Sequence, residues 1–307
     1  MSEQPHVTAV LSLFRPPADL PARVADLLEQ VDAVVTVDDG PDADASAEVH
    51  AALAAAGAEV IVVGANRGIA HALNLGIERA RTTRSDTWVL TLDQDSTVPP
   101  GYVAAALATF GAAQGAGVRV GAVCPWFLGD APTPEEGAEH GFSLAFDPIT
   151  SALLIAPEVV AACGPFRDDY FIDAVDSEYT LRMRRHGWVV VRVPDTRLEH
   201  AMGTPRPMRL LGRQLTRGGR PAHVPYQRPF RIFYITRNMI AMSREYGAQF
   251  PGWLARRWRA EILHGGVRLL WGPHRSRIAR ALLAGAWAGV RGRSGPIPPR
   301  LARALAV

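Results

Sequence analysis

Two carboxylates separated by a single residue, Asp93 and Asp95, close an apolar run that begins at Trp88. Groups so placed repel each other unless a cation sits beside them. Mg2+ is typically held by one or two carboxylates together with a substrate's phosphate oxygens, so the spacing suits a metal-bound phosphate. A lone Asp-x-Asp is also an ordinary polar turn after a strand, and its meaning depends on what else the chain supplies. Asp38 and Asp39 end a second apolar run, Ala33–Val37. Further on, Asp173, Asp176 and Glu178 follow an aromatic pair, Tyr170-Phe171. Asp176 falls where a helix starts and the helix dipole favours a carboxylate. A carboxylate there is either a cap or, if it faces a pocket, a general base toward a hydroxyl. His200 follows a strand and a short connection, as a further metal ligand would.

The elements that must position these groups are legible in the apolar pattern. Trp88–Asp95 reads as a buried strand, stopped soon after by Pro99-Pro100-Gly101. Val7–Phe14, Ala33–Gly40 and Val60–Gly64 read as strands, and Pro17–Gln30, Ala45–Ala56 and Ile69–Ala80 as the helices between them. That alternation implies right-handed βαβ units and a mainly parallel sheet. Asp38, Asp39, Asp93 and Asp95 then share one edge, the edge at which open α/β sheets bind ligands. In Asn66–Gly76, Asn66 is placed to cap the helix, while Ala72 and Gly76 give it a slim face for close packing. Asn74 inside a helix needs a partner for its amide, either the protein's own or a substrate's. Beyond this half, Tyr102–Ala113 reads as a helix and Val120–Leu128 as a strand. Gly129–Gly141 reads as an acidic, proline-containing loop, Gly187–Val193 as a strand, and Thr204–Arg220 as an arginine- and glycine-rich loop.

The formal charge of +3 conceals a division. Residues 201–307 hold twenty arginines against two acids, Glu245 and Glu261; the first two hundred hold thirteen arginines against twenty-eight acids, and the chain has no lysine. Trp253–Trp258, Leu263–Trp271 and Ile278–Val290 read as amphipathic helices flanked by Trp and Arg. Such helices lie in a membrane interface, or they pack on the sheet or on a second subunit as a homo-oligomer, and the sequence leaves both open. Two cysteines without metal-type spacing, no signal-like amino terminus and no stretch long enough to span a bilayer point to a cytoplasmic protein, either free or peripheral at the inner face of the cell membrane. The basic tail alone raises nucleic-acid binding, which the acidic sheet edge and the absence of a known module argue against. A nucleotidyltransferase lacks a Gly-rich phosphate loop near the first strand.

Taken together, Val35-Thr-Val-Asp-Asp-Gly40, Asn66-x-Gly-Ile-Ala-x-Ala-x-Asn-x-Gly76, Leu92-Asp-Gln-Asp-Ser96, Phe171-Ile-Asp-Ala-Val-Asp-Ser-Glu178, His200 and Tyr234-Ile-Thr-Arg-Asn238 resemble the inverting family 2 glycosyltransferases, in particular their rhamnosyltransferase-like members. The resemblance implies a GT-A (Rossmann-like) α/β fold with a mainly parallel sheet flanked by helices and a basic helical C-terminal extension. It implies a catalytic domain over residues 1–240, with a nucleotide-sugar half to about residue 97 and an acceptor half to 240, and a helical region over 241–307. Asp38 matches the acid that holds the nucleotide base, with Asp39 beside it; Asp93 and Asp95 match the Asp-x-Asp pair. Asp95 and His200 match the ligands of a divalent cation, Mg2+ or Mn2+, and Asp176 matches the catalytic base. The glutamate that precedes that base elsewhere in the family is Val175 here. Asn66, Asn74 and Arg237 join the donor-binding set. The implied donor is dTDP-β-L-rhamnose, or alternatively a UDP-sugar for galactofuranosyl or glucosyl transfer. The implied acceptor is a hydroxyl of a cell-envelope or polysaccharide glycan, free or lipid-linked, and the partners include no nucleic acid.

Overall fold

The computed structural model describes residues 5–200, 206–210 and 212–306. Its amino-terminal half alternates as the apolar runs predict: β1 (Val7–Leu13), α1 (Leu20–Leu28), β2 (Ala33–Asp38), α2 (Ala47–Ala55), β3 (Glu59–Val62), α3 (Ile69–Thr83) and β4 (Trp88–Asp93). There follow β5 (Ser96–Thr97), α4 (Tyr102–Gly115), β6 (Val120–Leu128), β7 (Ala131–Pro132), β8 (Glu135–Glu139), β9 (Phe142–Ala145), β10 (Leu153–Ile155), α5 (Pro157–Cys163), α6 (Val175–Arg185) and β11 (Val189–His200). These strands form one mixed sheet in the order β3-β2-β1-β4-β10-β6-β11-β9-β8, with β5 on β11 and β7 on β6. β3, β2, β1 and β4 are parallel neighbours, β10 runs against β4 and β6, and β11 is parallel to β6. The carboxyl ends of β1, β2, β4, β6 and β11 therefore meet at one edge. This is the α/β class expected, a mostly parallel sheet flanked by helices.

β1 is the strand around which the edge is built. All seven of its residues are buried, as an inner strand covered on both faces requires. Its last residues pair Leu13 with Asp38 on one side and Ser12 with Asp93 on the other, so the two acidic strand ends flank it. α3 lies close over β1 because Gly76 carries no side chain; a Cβ there would come within 2.4 Å of Val10 Cγ1.

Three local expectations change. The N-cap of α3 is Gly68, whose φ of +101° suits glycine, and no side chain caps the helix; Asn66 is exposed two residues earlier. The acidic segment 129–141 is not a long loop. Most of it is β-hairpin, with Glu135–Glu139 paired to Phe142–Ala145, and its acids meet arginines: Glu135 lies 2.8 Å from Arg192, and Glu136 pairs with Arg184. β11 continues past Val193, through an irregularity, to His200.

Cys124 and Cys163 are both buried free thiols. Burial pushes Cys124 up to about 12 and Cys163 up to about 11, the nearby arginines only partly offsetting it, so both remain protonated and unreactive.

The chain forms two compact units, one of Met1–Asp168 with Val175–Ala201 and the other of Asp169–Ala174 with Met202–Val307. In the second, the described part of 206–224 is not an open loop but three two-stranded ribbons, β12 (Arg206–Pro207) with β17 (His223–Val224), β13 (Arg209–Leu210) with β14 (Arg213–Gln214), and β15 (Thr216–Arg217) with β16 (Arg220–Pro221); Thr204 lies outside the described residues. α7 (Pro229–Tyr246), α8 (Pro251–Trp271), α9 (Arg275–Val290) and α10 (Pro299–Leu305) complete this helical region. A domain boundary at residue 240 would fall inside α7. α9 packs along α7 through its small residues; a Cβ on Gly285 would stand 2.6 Å from the Phe233 carbonyl oxygen, and one on Gly289 2.9 Å from that of Arg237. No described helix is long and apolar enough to cross a membrane.

Candidate active site

The acidic tip of β4 is a built turn. Asp93 donates its backbone N–H to Ser151 Oγ at 3.2 Å, and Ser151 Oγ donates to Ser96 Oγ at 2.6 Å. Gln94 bridges to the end of β1 in both directions: its Oε1 accepts the Phe14 N–H at 2.8 Å and its Nε2 donates to the Phe14 carbonyl at 3.0 Å. Arg23 of α1 donates to the Gln94 carbonyl at 2.7 Å. The side chains of Gln94 and Ser96 thus hold the turn, which leaves Asp95 exposed and Asp93 half-buried. Ser151, two residues before β10, is a participant that its short side chain alone does not mark in the sequence.

His200 reaches the same tip by backbone pairing. β5 and the end of β11 run antiparallel, with His200 opposite Ser96 and Glu199 opposite Thr97. The last residue of β11 therefore lies across from the residue that follows Asp95; the His200 side chain lies outside the described residues. Asp95 and His200 are chemically suited to a divalent cation, a carboxylate oxygen and an imidazole nitrogen being ligands that Mn2+ and, less commonly, Mg2+ accept. Among the described residues no group of three or more His, Cys, Asp or Glu side chains is gathered to hold a metal.

Asp38 and Asp39 are turned into the protein. Asp38 Oδ1 accepts the Gly40 N–H at 2.8 Å, and its Oδ2 lies 2.7 Å from His50 Nε2 of α2. Asp39 accepts the Arg67 N–H at 2.8 Å and the Gly68 N–H at 2.6 Å, fixing the turn that begins α3. Burial raises the Asp39 carboxyl above the usual range, although those two amide bonds and His71 pull the other way. In this geometry Asp39 acts on backbone, and Asp38 is shared between backbone and the His50 ring. Asn74 is similarly committed: it donates to the Phe166 carbonyl at 2.8 Å and to Asp168 Oδ1 at 2.5 Å, and accepts the Phe166 N–H at 2.7 Å. The partner its position demanded is supplied by the chain itself, ninety-two residues away. Asn66 stands exposed beside these groups.

Asp176 sits in the first turn of α6, half-buried, with Oδ1 accepting the Ser177 N–H at 2.9 Å. Because α6 leads back into β11, its amino end lies at the carboxyl edge of the sheet. Ser177 Oγ donates to Asp147 Oδ1 at 2.8 Å, which brings in a carboxylate that the sequence did not single out. Glu178, only 1 % exposed, is held by Arg182, whose Nε lies 3.1 Å from Oε1 and whose Nη2 meets Oε2. Arg182 Nη1 also donates to the carbonyls of Cys163 and Pro165 at 2.8 and 2.6 Å. Of the acids around Asp176, Glu178 is thus a packing group.

A cavity of about 690 Å3 lies between α1 and the β4–α4 connection. Leu11, Leu20, Val24, Leu27 and Leu92 line much of it, together with Arg23 and with Ser96 of the turn; neither Asp93 nor Asp95 does.

In the helical unit, Asp169–Ala174 is a strained loop. Phe171, Asp173 and Ala174 all have positive φ, at +66°, +65° and +59°, a conformation costing about 1 kcal/mol or more for each such residue. α7 holds it there. Asn238 Nδ2 lies within donating distance of the carbonyls of Tyr170, Ile172 and Asp173 at 3.1, 3.0 and 2.7 Å. Arg237, 2 % exposed, donates through Nη2 to the Tyr170 carbonyl at 2.9 Å, through Nη1 to that of Gly295 at 2.5 Å, and through Nε to Asn238 Oδ1 at 2.9 Å. Asp173 is raised by burial, against the pull of Arg231, whose Nη2 stands 2.5 Å from Oδ1. Arg237, expected near a diphosphate, thus spends its donors on backbone carbonyls and on the Asn238 side chain. Asn238→Ala removes the shared donor and is expected to destabilise the protein by about 2–3 kcal/mol in urea unfolding. Asn238→Asp should cost at least as much, because it sets a carboxylate against three carbonyls.

Residues 8–124 match the profile of glycosyl transferase family 2. Over that segment, which runs from β1 into β6, the chain is similar to the family's domain. Over 97 residues it is 29 % identical to the dTDP-rhamnosyl transferase RfbF of Shigella flexneri, a stretch that is 32 % of this chain and only 29 % of that protein's length. Two crystal structures of glucosyl-3-phosphoglycerate synthase from Mycobacterium tuberculosis also resemble it, one with Mn2+, uridine diphosphate and phosphoglyceric acid and one with phosphoglyceric acid. They are 15 % and 16 % identical, each covers 66 % of this chain and 72 % or 74 % of its own, and both have a TM-score of 0.44.

Proposed function

We propose that the protein is an inverting glycosyltransferase that moves L-rhamnose from dTDP-β-L-rhamnose onto a hydroxyl of a cell-envelope or polysaccharide glycan, in free or polyprenyl-linked form. The observation that carries this reading is the pairing of His200 with Ser96, which brings the end of β11 to the Asp-x-Asp turn at the edge where α6 begins with Asp176. The donor assignment is supported by the partial identity to RfbF together with the Leu92–Ser96 segment. Two buried free thiols suit a reducing, cytoplasmic setting.

In this reading Asp95 and His200 would hold Mg2+ or Mn2+. A cation bound there supplies Lewis-acid neutralisation of the departing phosphate charge. Asp93, anchored to Ser151, orients the sugar or ribose, while Asp38 and Asp39 shape the nucleotide side by fixing Gly40 and the Arg67–Gly68 turn. Asp176 takes the proton of the acceptor hydroxyl as that oxygen attacks the anomeric carbon from the face opposite the diphosphate. One displacement inverts the centre, giving an α-L-rhamnoside, and needs no enzyme nucleophile.

The test is a donor panel: purified protein with Mg2+ or Mn2+, each nucleotide sugar in turn, followed by nucleoside diphosphate release and thermal shift. A response to dTDP-rhamnose is expected; a response to a UDP-sugar alone would overturn the rhamnosyl assignment. Asp95→Ala should weaken metal-dependent donor binding about tenfold or more while metal-independent nucleotide binding persists.

A further inference from the structure

The outer faces of α8 and α9 carry apolar side chains that the fold does not use. Ile262, Leu263 and Leu270 on α8, and Leu283, Trp287 and Val290 on α9, are between 56 % and 74 % exposed. On α9 the positions 283, 287 and 290 recur at helical spacing, opposite Ala281, Gly285, Ala288 and Gly289, which are buried. The stripe has basic ends: Arg280 is exposed one turn before Leu283, and the Arg291 guanidinium stacks on the Trp287 ring at 4.2 Å. α8 repeats the pattern, with exposed Arg259 a turn before Ile262 and Leu263.

We infer that these two faces form a docking surface for an anionic membrane, lying in the headgroup interface rather than crossing it. Charge selects the occupant. From residue 251 to 307 there are eleven arginines and one acid, Glu261. A symmetric pair of copies places the same patch on both sides of the interface, so the arginine rims of a dimer built on this face would oppose each other. A nucleic acid would neutralise the arginines but leave Leu283, Trp287 and Val290 against phosphate, with no apolar surface to bury them. An anionic bilayer answers both halves of the pattern, taking Leu, Ile and Trp into the acyl boundary while its headgroups meet Arg. The readout is binding alone, so the inference stands or falls separately from the transferase reading.

Flotation of the full chain with vesicles of phosphatidylcholine, alone or mixed equally with phosphatidylglycerol, tests it. Partitioning is expected onto the phosphatidylglycerol vesicles and not onto phosphatidylcholine alone, and it should weaken as salt is raised. Leu283→Ser with Trp287→Ser should reduce partitioning about tenfold, and Arg280→Ala with Arg291→Ala should weaken partitioning and make it less sensitive to salt. All four positions are exposed, so an unchanged melting temperature confirms that the variants are folded. A chain that stays with the soluble fraction, or a double serine variant that floats like the parent, would overturn the inference. So would a dimer, or binding to duplex DNA, that the serine variant loses.

Discussion

Asp176→Asn is expected to lower kcat about a thousandfold while changing donor affinity by less than about twofold, as measured by nucleoside diphosphate release and by calorimetric titration of the donor. The substitution is nearly isosteric, and the amide oxygen can still accept the Ser177 N–H that Asp176 Oδ1 accepts now. What it removes is the capacity to take a proton. In the proposed site the donor-binding acids lie at the ends of β2 and β4 and involve none of α6's first turn, so binding should survive. Turnover within a few-fold of the parent would mean that Asp176 orients rather than deprotonates the acceptor. Asp147, joined to the same turn through Ser177, would then be the next carboxylate to substitute.

The parts of this arrangement that sequence makes legible are those with a local cause. An apolar run covered on both faces, as in β1 and β4, and acids at the point where it ends are visible in a few consecutive residues, and the shared edge follows from the crossover rule. Gly76 is legible for the same reason, since a helix needs a slim face where it crosses a strand closely. The residues whose surroundings are not legible are polar groups whose partners are distant. Asn74 looks like a ligand until Phe166 and Asp168 arrive at its amide. Arg237 looks like a phosphate-binding cation until the carbonyls of Tyr170 and Gly295 take its donors. Gln94 and Ser96 carry the family resemblance, yet their side chains serve the turn, through Phe14 and Ser151. The segment 129–141 has no alternating apolar face, so nothing in its own residues marks the hairpin; its stability comes from the strand beside it and from Arg184 and Arg192, roughly fifty residues on. Asn66 resembles a cap in type, but the φ of Gly68 settles where α3 begins.

Glu178→Ala is expected to destabilise the protein by about 3–5 kcal/mol, because it strands a largely buried guanidinium. Arg182 would keep its bonds to the Cys163 and Pro165 carbonyls, but these are dipoles, not counterions, and cannot replace the carboxylate now held between its Nε and Nη2. A loss of that size corresponds to a melting temperature lower by about 10 °C for a chain of this length. Glu178→Gln should cost less, since it retains an acceptor for Arg182 while losing the charge. The exposed pair Arg197–Asp130, at 2.9 Å, is the control: its geometry is as good, but water screens it, and Asp130→Ala should leave the melting temperature nearly unchanged. Removing both partners, Glu178→Leu with Arg182→Met, separates the two costs. If the single substitution is harmful because of an unpaired charge, the double one recovers much of the loss despite the two carbonyls left without their donor. If it recovers nothing, those carbonyl bonds, and with them the fastening of α6 to the end of α5, are what Glu178 maintains. Melting temperatures of the four proteins distinguish the outcomes.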